Sequence, residues 1–376
     1  MSQFFVSTAK GLSDLLAEEM IQLGIPHPRK TKAGAFFDGN WEDVYRLNLR
    51  SRVASRILKP LIEFTAYQED ELYNQVINNQ DFSRYLSPDQ TFMIDASVKD
   101  CMIHDQRFLA MRVKDAIVDQ IREKFGTRPS ISKDNPDFRF YIKGYKNNYS
   151  LAIDTSGDSL FMRGYRMEAG EAPLKENLAA ALIMMTEWKK DIPIVDLTCG
   201  SGTILIEAAM IAMEMAPGIH RRKFGFQNFK TFNESQWKEI LESTISEEIP
   251  ELPFKFYGYD VDRKVLDKAK ANARRAGVDH LIEFHRDSVA TVAPPCEKGI
   301  VIINPPYGVR LGDEDNVRDV YRDLSFTLKT RFTGWDVFVL SGNKDLMADL
   351  KLKASRKHFV YNGSLECRFL KYSIKS

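Results

Sequence analysis

The sequence predicts an α/β protein: a doubly wound, mostly parallel sheet with a C-terminal antiparallel hairpin, preceded by a smaller α+β region. Three observations carry this. From about residue 160, apolar strand-like runs alternate with segments of helical period, the pattern of a parallel sheet covered on both faces. The first such strand, Ile192 to Leu197, runs straight into Thr198-Cys199-Gly200-Ser201-Gly202 and a strongly apolar helix. Before residue 160, strands and helices mix without a long strand-helix-strand array.

Taken in order, Gln3 to Thr8 reads as a strand. Ser13 to Leu23 reads as a helix, with Ser13 as its cap, Leu15, Leu16 and Met20 at helical spacing, and Gly24 as its stop. Met111 to Phe125 is a second helix, since Val113, Ile117 and Ile121 share one face. Phe138 to Lys143 and Tyr149 to Asp154 read as paired strands around an Asn147-Asn148 turn. Leu174 to Trp188 is helical, and so is Thr203 to Met215. Phe254 to Tyr259 is a strand followed by the helix Arg263 to Ala276, which Gly277 stops. Ile282 to His285, Ile300 to Ile303 and Trp335 to Leu340 complete the parallel set. Lys357 to Tyr361 and Glu366 to Tyr372 flank Asn362-Gly363, a strong hairpin signal.

Composition bounds the function. The chain has 376 residues, 44% hydrophobic and 28% charged, which excludes global disorder and fibrous repeats. Its 53 basic residues balance 52 acidic ones, so attraction to nucleic acid must come from local patches. The cysteines, Cys101, Cys199, Cys296 and Cys367, form no C-x-x-C, and the histidines show no ligand spacing; no metal is expected. Nothing at the start reads as a signal peptide, and no run is long and apolar enough for a membrane; a cytoplasmic protein is expected.

The candidate chemistry lies at strand ends. Asp196-Leu197-Thr198-Cys199-Gly200-Ser201-Gly202 joins a strand to a helix through a G-x-G turn, where backbone and helix N–H groups can approach a nucleotide-type ligand. Leu205 stands where a dinucleotide fingerprint needs its third glycine, which disfavours pyrophosphate. Asp260 ends the next strand and can accept both hydroxyls of a ribose, while Asp262 suits the cap of the helix after it. Asp287-Ser288 can read an adenine amino group or simply form a turn.

The sharpest signal is Asn304-Pro305-Pro306-Tyr307, directly after the strand Ile300 to Ile303. An exocyclic base amine is a poor nucleophile because its lone pair is delocalised into the ring. Two acceptors on its two hydrogens, the Asn304 side-chain oxygen and the Pro305 carbonyl, release that lone pair. The prolines hold Asn304 and Pro305 extended and supply no competing N–H. Tyr307 offers a face on which a flipped base can stack. The loop alone suits guanine N2 and adenine N6 equally. Pro294-Pro295-Cys296 resembles a cysteine nucleophile loop but precedes the strand instead of following it.

These motifs, in this order, resemble those of Rossmann-like S-adenosylmethionine-dependent methyltransferases that act on amines. Arg163-Gly164-Tyr165-Arg166 through Ala172-Pro173-Leu174-Lys175-Glu176-Asn177-Leu178-Ala179, and Ala216-Pro217-Gly218-Ile219-His220-Arg221, resemble one subgroup, the THUMP-containing guanine-N2 RNA methyltransferases of the bacterial 23S rRNA type. The resemblance implies an S-adenosylmethionine site at Asp196, Thr198, Cys199, Gly200, Ser201, Gly202, Asp260, Asp287 and Ser288, with Asn177 and Pro173 from the preceding segment. It implies an amine site at Asn304, Pro305, Pro306 and Tyr307. It also implies a ferredoxin-like segment over 1–44, a THUMP-like RNA-binding region over 45–155 and a methyltransferase domain over 156–376. The expected partner is RNA, 23S rRNA or a ribosomal precursor particle.

Two stretches interleave basic and aromatic residues, as RNA contact surfaces do. Arg221, Arg222 and Lys223 sit among Phe224, Phe226 and Phe229; Lys143 and Lys146 sit with Tyr145 and Tyr149. A solvated loop pinned to the core by its aromatics is the other reading. Adenine-N6 methylation and a non-catalytic RNA-binding assembly factor are the rival functions. A piece from residue 156 onward is expected to keep cofactor binding and lose RNA affinity.

Overall fold

A computed structural model describes residues 1–166, 174–306 and 314–375. Among them two sheets organise the chain.

The N-terminal sheet is built from β1 (Ser2–Thr8), β2 (Arg29–Thr31), β3 (Gly34–Gly39), β4 (Ala54–Thr65), β5 (Thr91–Lys99), β6 (Ser130–Ile131), β7 (Phe138–Tyr145) and β8 (Asn148–Asp154). Their order across the sheet is β2-β3-β1-β4-β8-β7-β5-β6. Along β7 and β8 alternate residues are buried, so one face is covered and the other is open. Helices α1 (Ser13–Gln22), α2 (Trp41–Arg50), α3 (Glu69–Asn79) and α4 (Gln106–Phe125) are joined to this sheet through one hydrophobic core.

Local chemistry corrects several expectations. Leu12 stands at the α1 N-cap with no side-chain bond, and Ser13 is already helical. α4 begins five residues earlier than expected because Asp105 caps it, accepting from the Arg107 and Phe108 N–H groups. The β7–β8 turn centres on Lys146 and Asn147, both at positive φ (49° and 62°), and Asn148 opens β8.

The C-terminal sheet holds β9 (Ile194–Asp196), β10 (Phe256–Asp260), β11 (Ile282–Arg286), β12 (Ile300–Ile303), β13 (Asp336–Ser341), β14 (Arg356–Asn362) and β15 (Leu365–Ser373). Its order is β11-β10-β9-β12-β13-β15-β14, parallel throughout except for β15. The helices are α5 (Glu176–Met185), α6 (Thr203–Ala212), α7 (Glu234–Ser246), α8 (Arg263–Arg275), α9 (Glu314–Arg331) and α10 (Lys344–Asp349). α5 and α6 belong to a core continuous with the N-terminal sheet, and Val317, Tyr321, Leu324 and Leu328 of α9 to a second core. Every residue of α6 is buried, which is why the segment reads as apolar all round.

The two halves are joined by buried polar contacts. The Arg163 guanidinium, 1% exposed, donates to the carbonyls of Leu160 and Arg52 at 2.6 Å each and lies 3.6 Å from Glu207, which α6 holds fully buried. Tyr165 Oη donates to Glu207 at 3.0 Å. Glu19 of α1, also buried, accepts from Ser51 Oγ and the Arg52 N–H, and Arg52 reaches across to the Met215 carbonyl at 2.8 Å. The segment after α6 bonds back to the first half through the Gly218 N–H to Leu49 and the Phe226 N–H to Thr155.

Candidate active site

Strand register sets the site. Asp196 ends β9, the central strand, level with Gly258 of β10 and, through Val195 and Val301, with Ile302 of β12. Asp260 and Asn304 therefore stand two residues above it, one strand to either side and about 10 Å apart by strand spacing. They frame a cleft at the carboxyl ends of the strands, where open α/β sheets bind ligands.

The glycine turn is held from three sides. Asp196 accepts from the Thr198 N–H at 3.0 Å, the Cys199 N–H donates to the Tyr259 carbonyl at 2.9 Å, and the Gly200 N–H donates to Asp260 Oδ2 at 3.0 Å. Asp260 Oδ1 also accepts from the Asp262 N–H, and Asp262 caps α8 by accepting from the Lys264 N–H. Gly202 opens α6 at φ 80°, where an added Cβ would lie 3.1 Å from the Phe284 ring and 3.2 Å from Ala269. Gly200, at φ 53°, faces open space instead, so a ligand can approach its backbone.

Two residues of this turn support went unmentioned in the sequence reading. Asn272, on the buried side of α8, donates to the Ser201 carbonyl at 3.2 Å, and Arg275 grips Asn272 Oδ1 at 2.6 Å. A buried asparagine in a helix interior was the available signal.

Burial, with the Asp260 charge as a lesser contributor, pushes the Asp196 carboxyl up to about 8, although the Thr198 N–H pulls the other way. Thr198 Oγ1 is buried and has no hydrogen-bond partner among the described residues. Two neighbouring carboxylates, an unsatisfied hydroxyl and open space over Gly200 fit a ligand that carries both positive charge and hydroxyl groups.

Asp287 and Ser288 form a turn beside this corner. The Asp287 N–H donates to the Asp260 carbonyl at 3.2 Å, and Asp287 Oδ1 accepts from the Ser288 N–H at 2.8 Å. At the other wall Asn304 is half-buried, Pro305 buried and Pro306 exposed. Tyr307 and Pro173 lie outside the described residues. Among the described residues no cluster of three metal-ligating side chains occurs, and no helix is long and apolar enough to cross a membrane.

Two expected site residues have other work. Asn177 Nδ2 donates to Ser55 Oγ at 3.2 Å and weakly to the Val53 carbonyl, which ties α5 to the N-terminal half. Arg221 donates to the carbonyls of Ser156, Asp158, Ser159 and Met162 and lies over the Phe224 ring, and burial lowers its pKa to about 10. Its Nη groups are engaged within the chain, so they are not free to meet RNA phosphates. Phe224, Phe226 and Phe229 are buried too, and that stretch is a loop pinned by its aromatics, with Arg222 and Lys223 left exposed. Lys143 is exposed on the sheet's open side and Lys146 in the β7–β8 turn, with Tyr145, itself 48% exposed, between them.

A seven-stranded sheet in this order, with a glycine turn after the central strand and an acidic residue ending the next, defines the class: an S-adenosylmethionine-dependent methyltransferase. Within that class the chain belongs to the family described as "RMKL-like, methyltransferase domain", matched over residues 163–371. Residues 3–58 match the "RlmL ferredoxin-like domain" and 66–154 the THUMP domain. It is 40% identical to the ribosomal RNA large subunit methyltransferase K/L of Syntrophotalea carbinolica, over 99% of this chain but 53% of that protein, so it spans about half of that relative's length. A Synechocystis sp. protein named "Putative RNA methyltransferase slr0064" is 37% identical over 99% of this chain and 96% of its own. The crystal structure of SMU.472, "a putative methyltransferase complexed with SAH", superposes with a TM-score of 0.89 at 31% identity, covering 100% of this chain and 98% of that one.

Proposed function

We propose that this chain methylates the exocyclic N2 amine of a guanosine in structured RNA, and that its substrate is the RNA of the large ribosomal subunit. The observation that carries the chemistry is the pairing of Asn304-Pro305-Pro306 at the end of β12 with Asp260 at the end of β10, across the cleft above Asp196. S-adenosylmethionine supplies a methyl group on a sulfonium. Asp260 holds the cofactor's ribose, Asp196 faces its positive charge, and Asn304 Oδ1 with the Pro305 carbonyl accepts the two hydrogens of the target amine. As the amine nitrogen forms its bond to the methyl carbon, the carbon–sulfur bond breaks and its electron pair stays on sulfur. The amine then loses one proton to water, so no strong base is required. The chain's contribution is positioning and polarisation of the amine. The choice of guanine over adenine rests on the family and the THUMP domain, since the loop accepts either amine.

The two walls of the cleft have separable roles. Asn304→Ala removes an acceptor used in the transition state, so turnover falls roughly 100-fold or more while cofactor affinity stays within about twofold. Asp260→Ala weakens cofactor binding roughly tenfold or more through lost charge-assisted hydrogen bonds. Turnover on RNA and calorimetric cofactor titration read the two effects; equal loss of cofactor affinity in both variants contradicts the assignment.

A further inference from the structure

The edge of the C-terminal sheet carries an exposed phenylalanine, Phe359, beside the half-buried Tyr361. β14 is the last strand, and Lys357, Phe359 and Tyr361 alternate along one face of it. Phe359 is 50% exposed. The Lys357 ammonium lies 4.5 Å from its ring centroid, and the Arg368 guanidinium, on the adjacent β15, 5.9 Å from it. Arg368 Nε is buried without a hydrogen-bond partner. The Lys10 ammonium sits 4.2 Å from the Tyr361 ring centroid, and the Tyr361 hydroxyl donates to Glu366. Edge strands use lysines to block pairing with other chains, which accounts for Lys357. That device gives no reason to keep a phenylalanine in water between two cations.

Register places this row at the height of the chemistry. Ile303 pairs with Val339 and Ser341 with Arg368, which in turn pairs with Phe359. Phe359 is therefore level with Pro305, three strands away, about 14 Å at ordinary strand spacing. The loop after β1 also abuts this strand, because a Cβ on Gly11 would lie 2.6 Å from the Phe359 carbonyl oxygen.

Resting on the RNA reading above, we infer that Phe359, flanked by Lys357 and Arg368, stacks an unpaired nucleotide of the RNA substrate a few positions from the target base. An aromatic face binds any base, and the cations on either side meet the phosphates that flank it. Lys357 is the mobile partner, its ammonium moving from the ring to a phosphate as the base takes its place. A strand held there keeps the target nucleotide out of a helical stack and within reach of Asn304.

The full-length protein tests this with S-adenosylmethionine and unmodified large-subunit rRNA transcribed in vitro. Phe359→Ala raises the KM for RNA roughly tenfold, in line with the loss of one stacked base. The loss is carried by KM and not by cofactor affinity, and Phe359→Trp restores it. Lys357→Glu raises KM in the same direction without touching the ring. In addition, 4-thiouridine-substituted rRNA photo-crosslinks to the peptide that contains Phe359. Wild-type KM in both Phe359→Ala and Lys357→Glu overturns the inference and leaves the RNA reading intact. Failure of the wild-type protein to methylate or bind that RNA overturns both.

Discussion

Asp196 shows what burial does to one side chain. Its carboxyl, pushed up to about 8, keeps its proton at neutral pH in the cofactor-free protein. An unfolded chain would have lost that proton near the ordinary carboxyl pKa of about 4. The folded state thus binds the extra proton across that window, and the residue's contribution to stability declines as pH rises through about 8. A bound cation favours the ionised form. Cofactor binding near pH 7 therefore releases a proton, and affinity rises with pH up to about 8. Calorimetry in buffers of different ionisation enthalpy measures the release, which disappears in Asp196→Asn; buffer-independent heats in the wild type contradict the assignment. At this scale the sequence was informative where chemistry follows residue type and position along the chain. Asp196, Asp260, Gly200 and Asn304 stand at the strand ends and turn where residue type and position put them. Arg221 was misread because a run of basic residues looks like a solvated surface, and four backbone carbonyls from a distant turn are invisible in it.

At the scale of elements, the strand-turn-helix of β9, the glycine loop and α6 builds the proposed cofactor site. Gly202 is its least replaceable position, since it combines positive φ with tight side-chain neighbours. Gly202→Ala lowers stability by about 1–3 kcal/mol, from left-handed strain and crowding against Phe284 and Ala269. Chemical denaturation measures it, and Gly200→Ala, with no crowding, loses less. An equal loss in both means that strain alone sets the cost. The C-terminal elements were legible because buried parallel strands and apolar helices alternate there. β4 was not, because Lys59-Pro60 interrupts its apolar run; the structure accommodates Pro60 where the register with β8 shifts, a position at which the missing N–H is tolerated. β15 is the one strand that departs from the parallel sheet, and the Asn362-Gly363 signal was enough to find it.

For the whole molecule, the core shared by the two halves argues against a separable catalytic piece. Glu207 and Arg163 are buried together, Arg163 is completed by the Arg52 carbonyl, and Arg52 by the Met215 carbonyl. Cutting at residue 156 takes the Arg52 carbonyl from Arg163, takes the Arg52 guanidinium from the Met215 carbonyl and uncovers the shared apolar core, and each buried polar group left without its partner costs about 1–3 kcal/mol. A fragment over 156–376 should therefore lack a cooperative thermal transition and bind no cofactor, whereas a cooperative melt at the full-length temperature would show the halves to be independent. No local pattern announces such a joint, because its partners lie more than a hundred residues apart.

The reaction proposed for this chain is methylation of guanine N2 in large-subunit RNA. Purified full-length protein, incubated with isotopically labelled S-adenosylmethionine and unmodified large-subunit rRNA and then digested to nucleosides, tests it most directly by mass spectrometry. Label is expected in N2-methylguanosine and is lost with Asn304→Ala. Label confined to N6-methyladenosine, or RNA bound but unlabelled, would contradict it, the first in favour of the adenine enzyme and the second in favour of an assembly factor.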